Sequence, residues 1–347
     1  ITWYDRGHLY VQHSDDLGRR FSEPVVVNRV PEPVDDQGED RPRIAFGPAG
    51  EIYLVWTRKL DQPYTGHIRF SRSTDGGRSF STPVNVNDDA AVIAHRFPTF
   101  RVNPRGEIFV AWIDKRDLEA AKAAGEAYTG AALYYAVSQD GGQTFSASRK
   151  LADHSCECCR IAMALDEQGL PVIFYRHVFP GQIRDHALIR YTDPHAPRRP
   201  VRATFDDWVI RCCPHHGPAL AVENGVMHQA WFTAGAGGQG LRYARVTAQD
   251  DQPEPLPVGP ATAAHPALVA HGARVVLAWK AFVDGRTQVA VQQSPDGGRN
   301  WREPEVLAVT EGASDHPLLV RDGSAVYLSW QTAREGYRLL PVGGPEE

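Results

Sequence analysis

Short apolar runs ending in an aromatic residue recur along the chain, each opened by a glycine. They finish at Trp56 (Gly-Glu-Ile-Tyr-Leu-Val-Trp), Trp112, Tyr175, Trp231, Trp279 and Trp330, six in all. Runs of this length bounded by turn-forming residues read as buried β-strands. A segment with helical character, Leu118 to Gly125, spans about two turns. The remaining apolar stretches are equally short, and none approaches the roughly 20 residues that a membrane-spanning helix needs.

A second repeat interleaves with the first. Ser14 to Phe21, Ser73 to Phe80, Ser138 to Phe145 and Ser294 to Trp301 share the pattern S-x-D-x-G-x-x-[FW]. This pattern is the chemistry of a hairpin turn. A carboxylate accepts backbone N–H bonds across the bend, glycine takes a positive φ, and the aromatic tucks beneath. The turn carboxylates are assigned to Asp15, Asp75, Asp140 and Asp296, in a structural role. Weaker versions fall at Thr192-Asp193-Pro194 and near Thr247 to Asp250. Each unit of about 50–60 residues then holds four antiparallel strands, which is a propeller blade. Six units predict an all-β, six-bladed β-propeller in a single domain, residues 1–347. The blades cover 39–90, 95–152, 156–208, 213–258 and 263–310, with a composite blade from 1–30 plus 312–342 closing the ring.

Composition narrows the class without changing the fold. Glycine (31) and proline (26) are frequent, as many tight turns require. Lys+Arg total 37 and Asp+Glu 42, a net charge of −5, which argues against nucleic acid as a partner. The sequence opens without a signal peptide, so any export signal is expected to lie outside it.

In a propeller the first strand of each blade lines the axis. The starts of those strands read Glu39-Asp40-Arg41-Pro42, His95-Arg96-Phe97-Pro98, Cys158-Cys159-Arg160, His215-His216-Gly217-Pro218, His265-Pro266 and Asp315-His316-Pro317. Every blade therefore delivers a chemically active residue to one end of the axis. All five cysteines fall in two segments, Ser155 to Arg160 and Arg211 to Gly217. Such clustering fits a disulfide, a metal site, or both. One arrangement bridges Cys158 or Cys159 to Cys212 or Cys213. The metal reading takes copper or zinc from Cys156, Cys158, Cys159, Cys212, Cys213, His215, His216, His265 and His316, with His95 across the mouth. Adjacent residues of an extended doublet point to opposite faces, so one member of each would ligate. A cysteine nucleophile beside His215 or His216 is a further possibility.

The S-x-D-x-G-x-x-[FW] segments are similar to Asp-box repeats, and the whole chain resembles the sialidase-like propellers with those repeats (BNR repeats, bacterial neuraminidase). The resemblance implies a periplasmic or secreted protein. It also implies an exo-glycosidase that grips a substrate carboxylate with arginines and uses a tyrosine nucleophile. Arg41, Arg43, Arg96 and Arg160 lie at strand starts and fit the first role, and Tyr337 fits the second. Asp61 and Asp114 are candidates for the acid. The family's Arg-Ile-Pro signature is absent; Pro42-Arg43-Ile44-Ala45 and Arg160-Ile161-Ala162 come nearest. Three readings follow: a Cys/His metal site at the mouth serving binding or delivery, a sialidase-type hydrolase, and a disulfide-stapled binding scaffold. The ligand is then a metal ion, a small molecule or a carbohydrate.

Overall fold

The computed structural model describes residues 1–36, 38–247 and 254–343. The fold is an all-β propeller of antiparallel blades, and among the described residues the sheets number seven. Five have four strands each. In each of these, consecutive strands pair with their sequence neighbours, as in Arg43–Phe46, Ile52–Lys59, Gly66–Ser73 and Val84–Asn85. The two terminal sheets have three strands.

Seven replaces the six expected, for a packing reason. The six aromatic-ended runs are each the second strand of a sheet. The N-terminal sheet (Thr2–Asp5, His8–Val11, Val25–Val26) has no such strand, so the aromatic count misses it. Its apolar side chains Leu9, Val11 and Val27 are buried against Ile52, Leu54 and Trp56 of the following sheet. The C-terminal strands Leu318–Asp322, Ala325–Thr332 and Gly336–Pro341 form a separate sheet. There Val326, Leu328 and Trp330 bury against Ala267, Val276 and Ala278. The two terminal segments belong to separate three-stranded sheets, in place of the expected composite blade.

The chain divides into two compact units, Ile1–Val201 with Arg211–His215, and Arg202–Ile210 with His216 onward. The core of the first lies between successive sheets. Strands Ile108–Asp114 and Ala131–Ser138 are buried along their whole length. In the second, Trp279 and Tyr243 anchor the contact between strands Val226–Thr233, Gly240–Val246 and Arg274–Val283. Three indole N–H groups are satisfied inside: Trp56 donates to Glu32 Oε1 at 2.7 Å, Trp112 to Asp114 Oδ2 at 2.9 Å and Trp231 to Asp206 Oδ2 at 2.7 Å.

The four repeated turns close with one bond set. Ser138 Oγ donates to Asp140 Oδ1 at 2.8 Å and accepts Gly142 N–H at 2.8 Å, while Asp140 accepts the N–H groups of Gln143 and Thr144. Ser73/Asp75 and Ser294/Asp296 repeat it. In the first turn the carboxylate is Asp16, bonded to Ser14 and to the N–H groups of Arg19 and Arg20. Asp15 does not hold that place, because the serine-to-aspartate spacing of two selects its neighbour. Gly142, at φ 80°, would bring a Cβ within 2.3 Å of Phe70. The fainter turn at Asp193 forms, with His195 N–H donating to its carboxylate, whereas Asp250 lies outside the described residues. The helix runs Arg116–Ala124 and stops at Gly125, whose φ of 71° is the left-handed cap. No helix among the described residues is long and apolar enough to cross a membrane.

Candidate functional site

Three groups of reactive side chains stand out, two in the first unit and one in the second. The first is built on the segment Glu39 to Arg43, which leads into strand Arg43–Phe46, and on the start of strand His95–Val102. A register shift between Arg96 and Thr99 frees backbone there, and Phe97 takes a φ of 57°. Asp40 holds that irregularity by accepting Phe97 N–H at 3.0 Å and Thr57 Oγ1 at 2.9 Å on one oxygen. Its other oxygen lies 3.2 Å from Arg96 Nε, and Arg96 also bonds Asp35. Asp40 is 3% exposed, and burial pushes its carboxyl up to about 7. Arg96 opposes the shift, but its single charge is shared with Asp35, which adds repulsion. The Arg96 guanidinium lies 4.9 Å from the Phe97 ring and 5.8 Å from that of Tyr64. Tyr64 is 77% exposed, an aromatic face open to solvent.

Beside this group Arg43 donates to the Pro98 carbonyl at 2.8 Å. Burial, then the like charges of Arg160, Arg41 and Arg101, hold it below the ordinary guanidinium range, and Glu39 attracts it. Arg160 donates to Glu39 through its backbone N–H at 3.0 Å and its side chain at 2.8 Å. The arginines predicted as a cluster therefore sort into Arg43 with Arg41 and Arg160, whose charges act on it, and Arg96, held by Asp35 and Asp40. Tyr337 lies in the second unit, on strand Gly336–Pro341, accepting from Ser329 Oγ at 3.2 Å. Asp61 is exposed, and Asp114 is fully buried and paired with Arg116.

The second group is the thiols. Cys156, Cys158 and Cys159 sit on the turn that follows strand Arg149–Ser155, which Cys156 N–H anchors to the Arg176 carbonyl at 2.9 Å. The Cys156 sulfur is 3.8 Å from that of Cys158 and 3.7 Å from that of Cys159, and all three are buried in an apolar cluster with Phe97, Ile161 and Met163. Cys213, on an exposed segment, interacts electrostatically with Cys156 and Cys158. Hydrogen bonds from Cys158, Cys159 and Cys213 hold the Cys156 thiol well below its usual range. All five cysteines are free, so the anticipated bridge from Cys158 or Cys159 to Cys212 or Cys213 is absent. The sulfurs meet at contact distance and not at the roughly 2.05 Å of a covalent bond. Cys212 and His215 are exposed.

The imidazoles of the second unit form the third group. The His265 and His316 rings stack at 3.6 Å and 11°, and His216 lies 4.8 Å from His265 and 4.1 Å from Phe232. His265 has a φ of 52°, within a register shift between Ala264 and Ala267. His95 is fully buried in the first unit, with Nδ1 2.8 Å from the Gly66 carbonyl and its ring stacked on His67. Sequence reasoning missed Asp35 and Tyr64, which lie in loops without a repeat to flag them. It also missed Arg176 and Arg184, buried arginines beside the thiols; an arginine closing the apolar run at Tyr175 is the one available signal.

No known family matches the sequence, and no curated protein matches it. Solved structures do. A protein of unknown function from Dyadobacter fermentans superposes with a TM-score of 0.60 at 14% identity, covering 89% of this chain and 96% of that one. An ulvan lyase of polysaccharide lyase family PL25 gives 0.58 at 11% identity over 99% and 91%. The leech intramolecular trans-sialidase gives 0.57 at 9% over 87% and 67%, and the Penicillium chrysogenum α-L-arabinanase 0.54 at 13% over 87% and 92%. At these identities the likeness concerns the fold.

Proposed function

We propose that the chain is a carbohydrate-active propeller directed at an acidic saccharide, with its site in the first unit. The observation that carries this reading is the crowding of Arg43 by Arg160, Arg41 and Arg101. Like charges brought together from three segments repel one another, and a bound carboxylate or sulfate relieves that repulsion with bidentate hydrogen bonds. Tyr64 offers an exposed ring on which the apolar face of a sugar can stack. Burial raises the Asp40 carboxyl to about 7, so in this reading its proton serves the cleavage of a glycosidic bond. Supporting the reading at the level of the fold, the similar structures include a polysaccharide lyase, an arabinanase and a trans-sialidase.

The test is calorimetric titration with a sialyl-oligosaccharide, an oligo-uronate and a neutral oligosaccharide, alongside turnover of a fluorogenic sialoside. Binding of one acidic ligand, lost in Arg43→Met and spared in an exposed-arginine control such as Arg19→Met, is expected. Equal binding of neutral and acidic sugars, or none of either, refutes it.

A further inference from the structure

The saccharide reading leaves the thiols unused. Three of them converge in an apolar core, where cysteines that merely fill space have no reason to gather on one turn. The geometry points to a single zinc-class divalent ion held by the thiolates of Cys156, Cys158, Cys159 and Cys213. A tetrahedral Zn–S₄ centre with bonds of about 2.3 Å places its sulfurs about 3.8 Å apart. The separations found here are 3.8 and 3.7 Å, and one ligand atom from each of Cys156, Cys158 and Cys159 lies within 4.8 Å of the others. Cys213, outside that group on an exposed segment but interacting with two of the three, would close in as the fourth corner. The metal would thus tie the buried turn at Cys156 to the segment Arg211–His215 of the same unit.

Contact distance alone would also suit neutral thiols, so charge is the second observation. Four thiolates on a divalent ion carry a net charge of two minus, which a buried apolar site tolerates only beside cations. Two arginines are buried there, at 2% and 8% exposure. Arg184 Nη1 donates to the Cys156 sulfur at 3.2 Å. Arg176 acts electrostatically on both Cys156 and Cys159, and donates to the Arg184 carbonyl at 2.7 Å. The guanidiniums that act on Cys156 and Cys159 offset the charge such a centre would carry. The all-sulfur set with borderline-soft character excludes magnesium and calcium as occupants.

The experiment uses the full chain purified without chelator, with elemental analysis and cobalt(II) substitution. One zinc per chain is expected, with intense visible bands from tetrahedral cobalt thiolate and five thiols titrating after denaturation. Cys213→Ser, on an exposed segment, keeps the fold by circular dichroism. It should weaken zinc by at least the 10–100-fold that loss of an outer partner costs. Cys212→Ser should bind like the wild type. Arg184→Met, a positioning change, should weaken zinc while leaving the cobalt spectrum tetrahedral. A folded wild type that takes up neither zinc nor cobalt overturns the assignment. So does a Cys213→Ser protein that binds as tightly as its parent, uptake of copper alone, or fewer than five thiols on denaturation.

Discussion

Asp40→Asn isolates one buried carboxyl with little change of shape. Asn keeps an oxygen for Thr57 and Phe97 and loses only the ionisation. In the native protein the carboxyl stands at about 7, against 3.8 in an open chain. Between those values the native state holds a proton that the unfolded state has released. Its contribution to stability is therefore complete below pH 3.8 and is lost as pH rises toward 7. At about 1.4 kcal/mol for each tenfold step, the loss across that window is about 4 kcal/mol. Other carboxyl groups titrate alike in both proteins and cancel in the difference. Urea unfolding of wild type and Asp40→Asn at half-unit intervals from pH 4 to 8 measures it. The wild type should lose stability relative to the variant as pH rises, with the steepest change between pH 4.5 and 7. Parallel curves would falsify the claim that burial outweighs the shared charge of Arg96.

Three further outcomes follow from the same contacts. Gly142→Ala forces a Cβ against Phe70 at positive φ, and Gly76→Ala meets only the φ penalty; denaturation should show the first costing about 1–3 kcal/mol more. Ser138→Ala strips the partner from the buried Gly142 N–H and should destabilise by about 1–3 kcal/mol, measured the same way. Tyr64→Ala, at an exposed position, should leave the melting temperature unchanged and weaken binding of the acidic saccharide at least several-fold; unchanged affinity would remove the ring from the site.

Local chemistry was legible in the chain itself. The spacing of serine, aspartate and glycine dictates a turn whose bonds close within eight residues, and an alternation of apolar runs with glycine dictates strands. A helix at Leu118 to Gly125 was likewise readable, because its cap is a glycine next in sequence. Counting blades was not, since the N-terminal sheet buries Leu9 and Val11 without the aromatic that marks the other six. Sequence also gathered the reactive residues at strand starts, yet could not sort them. Whether cysteines crosslink or only touch depends on distances of an ångström or two between segments more than 50 residues apart. The same holds for charge: Arg96 and Arg43 look equivalent in sequence, and only the packing of Asp35 and Asp40 against one of them decides which is already neutralised. Short-range bonds are set by neighbours along the chain, whereas burial, and with it ionisation and ligand geometry, is set by whatever the fold places alongside.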